Sequence, residues 1–559
     1  MSSAQNVSTA HATATKAVST RDSILSLRGL TVELPPDADR RHALQNVSLD
    51  LEAGRILCVV GESGSGKSMT AGAILGLLPE HVNATAGEVF FQGRNLLALP
   101  DDELRSVRGA GIGMIFQEPM TALNPLRTIG DQIGEMFTTH TKLSKKEIEQ
   151  RVLALLADVH LPSPEQAIRA YPHELSGGQR QRAMIAMALA LEPAVLIADE
   201  PTTALDVTTQ AQILHLIRDL QRRKGTAVLF ITHDFGVVAE IADRVAVMQH
   251  GVLVEQGEVD AVLNHPVHPY TRALIAAVPP LLPPPARAVS QDIILDLQHV
   301  SKTYRSGGWR RRRVTHAVSD VSLSLPVGGT LGIVGESGSG KSTLARCIVR
   351  LLKIDQGQID FQGVDLAKLG KRAQRTHTRD VQMVFQDPYG SLNPRKRVGE
   401  LVAQGPIVHG VPREQAMARA RELFELVGLD PQSLHRYPHE FSGGQRQRVG
   451  LARALALGPK ILVADEPVSA LDVSVQAQVL DLLARLRVQL GLSLLFITHD
   501  LRVAAQICDR IAVMKDGRVV ETGTVAEVFG APRHPYTQAL LAAVPGRGWQ
   551  PPAADRAAA

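Results

Sequence analysis

The chain has 559 residues, 44% apolar and 21% charged, with a formal net charge of +4 at pH 7. Such a length exceeds one ordinary core and predicts two or more domains of globular, not disordered, composition. So small a charge argues against a protein that coats nucleic acid.

The first twenty residues are rich in Ser, Thr and Ala and lack an apolar core, which predicts a disordered tail and no secretory signal. No stretch approaches the roughly 18–20 apolar residues that span a bilayer. The three cysteines, Cys58, Cys347 and Cys508, lie far apart with no CxxC pair, so neither a disulfide framework nor a zinc site is expected, and a reducing compartment is.

In chain order, the apolar run "RILCVVG" reads as a buried strand and leads into "GESGSGKS", Gly61–Ser68. After a strand, this spacing is a phosphate-binding loop. Its glycines let backbone N–H groups crowd around phosphate, Lys67 neutralises charge, and Ser68 offers an oxygen to Mg²⁺. "FQEP" follows at Phe116. "YPHELSGGQRQR" spans Tyr171–Arg182, where a Ser-Gly-Gly turn and a basic helix start can hold an anion. "AVLIADE" and "AVLFITHD" read as further parallel strands, the first ending in Asp199 and Glu200, the second in His233 and Asp234. At such strand ends Asp199 suits Mg²⁺ through water, and Glu200 can polarise a water molecule. "VMQHGVLVEQG" predicts a hairpin turning at His-Gly. "HPYT" from His268 reads as a helix entry, with proline at the start and a hydroxyl nearby to cap it.

The whole series then recurs. Ser176 and Ser442, Pro201 and Pro467, Asp234 and Asp500, and His268 and His534 are all separated by 266 positions. Residues 279–291 contain five prolines and predict a short, stiff linker. The predicted organisation is therefore a tail at 1–20, one domain at 21–278, the linker, a second domain at 292–545, and a C-terminal tail at 546–559. Each domain is expected to be α/β. The basic run Arg310–Arg313 reads as a solvated loop, with lipid or partner contact as the other reading.

P-loop, glutamine loop (Gln117, Gln386), SGGQ signature, Asp-Glu strand end, ALD loop (Asp206, Asp472) and strand-end histidine (His233, His499) appear in one order, twice. This series resembles the nucleotide-binding domain of ATP-binding cassette (ABC) proteins over nearly the whole chain. The resemblance implies two tandem P-loop NTPase domains, each a mainly parallel sheet core with an antiparallel subdomain and a helical signature subdomain. It also implies head-to-tail closure on two ATP molecules with Mg²⁺.

The first nucleotide site would comprise Gly61, Glu62, Ser63, Gly64, Ser65, Gly66, Lys67, Ser68 and Met69 with the opposite Ser442, Gly443, Gly444 and Gln445. The second would comprise Gly335, Glu336, Ser337, Gly338, Ser339, Gly340, Lys341, Ser342 and Thr343 with Ser176, Gly177, Gly178 and Gln179. Catalytic roles fall to Glu200, His233 and Gln117, and to Glu466, His499 and Gln386. Mg²⁺ would be held by Ser68, Gln117 and Asp199, and by Ser342, Gln386 and Asp465. Tyr304 takes the adenine-stacking place in the second half; its counterpart, Leu34, is aliphatic and predicts weaker adenine packing. Both lysines and both glutamates are present, so two hydrolytic sites are expected.

"GESGSGKS", "FQDPYGSLNPR" and the repeated "HPYT" resemble the ATPases of oligopeptide/dipeptide importers, a group that also serves glutathione, nickel and peptide antibiotics. That implies a peripheral place on the cytoplasmic face of the inner membrane, two permease partners and, through them, an extracytoplasmic solute-binding protein. Residues 118–127 and 387–395 would meet the permeases. No cysteine follows His268 within the first half or His534 in the second, so no iron–sulfur cluster is expected. The rival reading is a tandem ABC ATPase acting on ribosomes or nucleic acid. A thirteen-residue proline-rich linker, and only 115 and 107 residues from P-loop to signature, leave little room for the insertions such proteins carry.

Overall fold

A computed structural model describes residues 23–203, 205–306, 313–469 and 471–552. The tail at 1–20 and the side chains of the Arg310–Arg313 run lie outside these. Each half carries a four-stranded antiparallel sheet and a six-stranded, mainly parallel one, with the same strand order in both halves. Among the described residues no helix is long and apolar enough to cross a membrane.

The parallel strands Ile56–Val60, Val195–Asp199 and Ala227–Ile231 are buried at every position, as strands covered on both faces must be. Ala227–Ile231 lies between the other two. Ile112–Ile115 flanks Val195–Asp199. The loops leaving these carboxyl ends therefore stand side by side, as an open parallel sheet dictates. In the second half Thr330–Val334, Ser493–Thr498, Ile461–Asp465 and Val381–Val384 repeat the arrangement.

The expected hairpins are present. Arg244–Gln249 pairs with Val252–Glu258, and Arg510–Lys515 with Arg518–Thr524. Their turns are His250 (φ 49°) with Gly251 (φ 83°), and Asp516 (φ 48°) with Gly517 (φ 78°). Two successive positive φ values match the right-handed twist of the strands they join.

Between helix Pro269–Ala276 and strand Ile293–Ser306 there is no helix or strand. This connection is fastened to the second half. Gln506 Nε2 donates to the Pro280 and Leu282 carbonyls at 2.7 and 3.0 Å, and the Arg287 guanidinium grips the Asp509 carboxylate with two nitrogens. The far end of the chain makes the reciprocal crossing. Gly546 N–H donates to Glu240 of the first half at 3.3 Å, and Trp549 Nε1 to Asn264 at 3.0 Å. Each half thus lays the segment after its HPYT helix across the other.

Candidate functional site: two phosphate loops facing partner lobes

The P-loop conformation follows from its glycines. Gly61 has φ 153°, and a Cβ there would come within 2.2 Å of the Met248 carbonyl; Gly66 has φ 105° and lies against the Ala43 carbonyl. Gly335 and Gly340 repeat both features. Helices Lys67–Leu75 and Lys341–Ile348 start directly after each loop and aim their N-termini at it. Lys67 is buried, its ammonium donating to the Gly61 and Glu62 carbonyls at 2.7 and 2.9 Å. Lys341 does the same to Gly335 and Glu336, both at 2.7 Å.

Neighbouring strands supply the remaining groups. Ser68 Oγ donates to Asp199 Oδ1 at 3.0 Å, and Ser342 Oγ to Asp465 Oδ1 at 3.0 Å. A serine hydroxyl beside a buried carboxylate is a hard oxygen donor set, and it fits Mg²⁺. Burial raises both aspartates above the usual carboxylate range, so a cation there would offset a real desolvation cost.

Glu200 is the hub of the first site. Its carboxylate accepts from Gln117 Nε2 at 3.1 Å and Thr203 Oγ1 at 2.9 Å, and it pairs with His233 Nδ1 at 3.2 Å. Burial alone would raise its pKa, but the hydrogen bond and charge of His233, helped by Thr203 and Lys67, hold it at about 2. Burial disfavours the His233 imidazolium, yet the bond to Glu200 prevails and raises its pKa. The second site matches, with Gln386 at 2.7 Å and His499 at 3.2 Å from Glu466. Glu200 and Glu466 have φ 45° and 47°, a left-handed backbone that costs a non-glycine residue of order 1–3 kcal/mol. That strain gave no signal in the sequence.

The signature residues sit at helix starts, as expected. Ser176 caps helix Gly177–Ala188 and Ser442 caps Gly443–Leu455, each in a reciprocal box with Gln179 or Gln445. A Cβ on Gly178 would meet Thr209 at 2.8 Å, and one on Gly444 would meet Val475 at 2.3 Å. The second signature glycine thus lets this helix close on the one after the ALD loop. Tyr304 is half-exposed on strand Ile293–Ser306, while Leu34 and Met69 pack against the apolar core of the first half.

Contacts between the halves join P-loop residues to the ALD region of the opposite half, including Ser474 and Thr208, to which the sequence reading gave no role. Asp472 Oδ1 accepts from the Ser63 N–H at 2.9 Å, Ser474 Oγ donates to Glu62, and Thr208 Oγ1 donates to Glu336 at 2.6 Å. Each P-loop is therefore touched by the ALD region of the other half. His233, Asp234, His499 and Asp500 also line one cavity between the halves. The HPYT helix entry is present, with Pro269 at its first position, but its cap is not a hydroxyl: His268 Nδ1 accepts from Tyr270 N–H at 3.2 Å, while Thr271 lies inside the helix. Tyr270 and Tyr536 instead reach the P-loops.

The family model described as "ABC transporter" matches residues 44–203 and 318–469. The chain belongs to the ABC transporter family. A second model, "Oligopeptide/dipeptide transporter, C-terminal region", matches residues 254–296 and 520–552. The chain is 49% identical over 526 residues to the peptidoglycan transport ATP-binding protein YejF of Agrobacterium fabrum, covering 93% of this chain and 96% of that one. It is 46% identical over 557 residues to the glutathione import ATP-binding protein GsiA of Salmonella choleraesuis, covering 93% and 89%. A dimeric bacterial ABC transporter cassette, MJ0796, aligns with 41% of this chain and 98% of its own at 32% identity and a TM-score of 0.38. This ABC protein is an ATPase subunit whose two cassettes lie in one chain.

Proposed function

We propose that this ABC protein energises import of peptides or peptide-like small solutes by hydrolysing ATP at two composite sites. The cross-half contacts of Asp472 and Ser474 on one P-loop, and of Thr208 on the other, carry this reading. They support a head-to-tail arrangement in which residues 21–278 and 292–545 complete each other.

In the first site Lys67 and the loop amides bind phosphate, and the opposite Ser442, Gly443, Gly444 and Gln445 close over it. Glu200, charged at neutral pH, orients and polarises the attacking water, while Gln117 and His233 hold the glutamate in place. Ser68, Gln117 and Asp199 would hold Mg²⁺, which would supply positive charge against the phosphates. Lys341, Ser342, Gln386, Asp465, Glu466 and His499 act likewise with Ser176, Gly177, Gly178 and Gln179. The linker raises the effective concentration of one half at the other to the order of mM, so closure needs no second chain.

The partners are membrane permeases, two of them in this reading, served by an extracytoplasmic solute-binding protein. Residues 118–127 and 387–395 are the permease contacts; Met120, Leu126 and Tyr389 are exposed there. The chain then works as a peripheral subunit on the cytoplasmic face of the inner membrane. The cargo class follows from the relatives, since peptidoglycan and glutathione both carry amide-linked amino acids. The test is reconstitution with a pair of importer permeases and a solute-binding receptor. ATP turnover should rise when the receptor carries a peptide or glutathione. Turnover that ignores every such ligand would refute the cargo assignment.

A further inference from the structure

The HPYT segment is built more firmly than a helix entry requires. The Glu255 carboxylate accepts the Val267 and His268 amides at 2.7 and 3.1 Å, and Glu521 takes those of Arg533 and His534 at 2.8 and 3.1 Å. Pro269 and Pro535 set the first helical residue, and the histidine caps the next amide. The backbone that carries the following tyrosine is therefore held at several points.

The pinned tyrosine points at the P-loop of its own half. Tyr270 Oη accepts the Glu62 N–H at 3.2 Å and donates to Glu62 Oε2 at 3.3 Å. The other carboxylate oxygen, Oε1, receives Ser474 from the opposite half. In the second half Tyr536 Oη accepts the Glu336 N–H at 3.1 Å, and Glu336 Oε1 receives Thr208. Glu62 and Glu336 thus each stand between a tyrosine of their own C-terminal region and a hydroxyl of the other half. Burial pushes both phenols up to about 12, which keeps them neutral donors.

We infer that Tyr270 and Tyr536 are positioning residues, holding the second P-loop residue so that its carboxylate can catch the ALD-region hydroxyl of the opposite half. They act through Glu62 and Glu336 and touch no reacting atom. An unheld glutamate would lose its fixed orientation on every closure, weakening the clasp that ATP must draw shut. The HPYT region then does more than lie across the partner half: it sets how readily the halves register nucleotide. This inference rests on the proposed composite ATP sites.

The test is a double-mutant cycle on the full-length chain, Tyr270→Phe with Ser474→Ala, read as KM for ATP. Each single change should raise KM about fivefold, the effect of one lost hydrogen bond. Because both act on one carboxylate, the double variant should fall well short of the product. Phenylalanine keeps the ring packed, so the unfolding midpoint without nucleotide should stay at the parent value. Tyr536→Phe with Thr208→Val repeats the cycle at the second site. If the parent chain turns over ATP but the two effects multiply, or KM does not move, the positioning role is overturned. A parent chain without ATP turnover overturns the composite-site reading itself.

Discussion

Asp472 reaches across the interface to the Ser63 amide at 2.9 Å, whereas its counterpart Asp206 folds back to cap its own helix, accepting from Thr209 N–H at 2.9 Å. Helix Val473–Leu490 accordingly has no side-chain cap, and helix Val207–Lys224 has one. The two halves are copies in sequence but not in how they meet. Asp206→Ala should therefore cost about 1 kcal/mol of stability, the worth of an N-cap. Asp472→Ala should leave helix stability nearly unchanged and raise KM for ATP instead. Thermal unfolding and steady-state ATPase, run on both variants, separate the two effects. Equal losses of stability would show that the asymmetry has no consequence.

Glu200 and Glu466 each sit among a glutamine, a histidine and a buried lysine, on backbone that no β-strand would choose. Replacing both with glutamine preserves shape and removes the base. Turnover should fall by roughly a hundredfold or more, while ATP binding survives. Filter binding of labelled ATP beside phosphate release reads both quantities. Retained turnover in the double variant would remove the glutamates from the mechanism.

Adenine packing should differ between the sites. Tyr304 presents a half-exposed ring, while Leu34 offers a side chain already engaged with the core. Base–aromatic stacking contributes about 1–3 kcal/mol. Leu34→Tyr should tighten nucleotide binding at the first site, and Tyr304→Leu should weaken it at the second, each by about tenfold. Calorimetric titration of a fluorescent or natural nucleotide should resolve the change. Affinities indifferent to both substitutions would place the base elsewhere.

These expectations mark where sequence reading succeeds and where it stops. The strand ending at Asp199, the strand Ala227–Ile231 that leads to His233, and the His250–Gly251 turn were legible because their signals are local: a buried apolar run, then a residue type that fits one backbone geometry. The Glu200 hub was legible only as a set of names, since its φ of 45° and its bond to Gln117 depend on strand order. The Ser63–Asp472 bond was not legible at all. It joins positions 409 apart, and it depends on how two lobes are rotated against each other, which no local pattern encodes. Tyr270 was missed for the same reason: its neighbourhood in the chain explains the helix, and its hydroxyl answers to a loop 208 positions earlier.

The cysteines give a measure of how tightly the lobes are packed. Cys58 lies in the central strand Ile56–Val60 and Cys347 in the helix after the second P-loop, both at 0% exposure. Burial drives the Cys58 thiol far above the usual range and Cys347 up to about 11, so neither carries appreciable thiolate at neutral pH. Cys508 is also raised by burial, but it lines the cavity beneath the linker, beside Asp509 and Arg287. Native protein exposed to N-ethylmaleimide at pH 7.5 (about one unit below a free thiol) should therefore label Cys508 first, through local opening of the linker. Cys58 and Cys347 should react only on unfolding in guanidinium, when peptide mass spectrometry should find all three modified. Arg287→Ala, which removes one of the linker's fastenings, should speed Cys508 alone. Labelling of Cys58 at a matching rate in the native chain would mean that the first sheet opens far more readily than its burial allows.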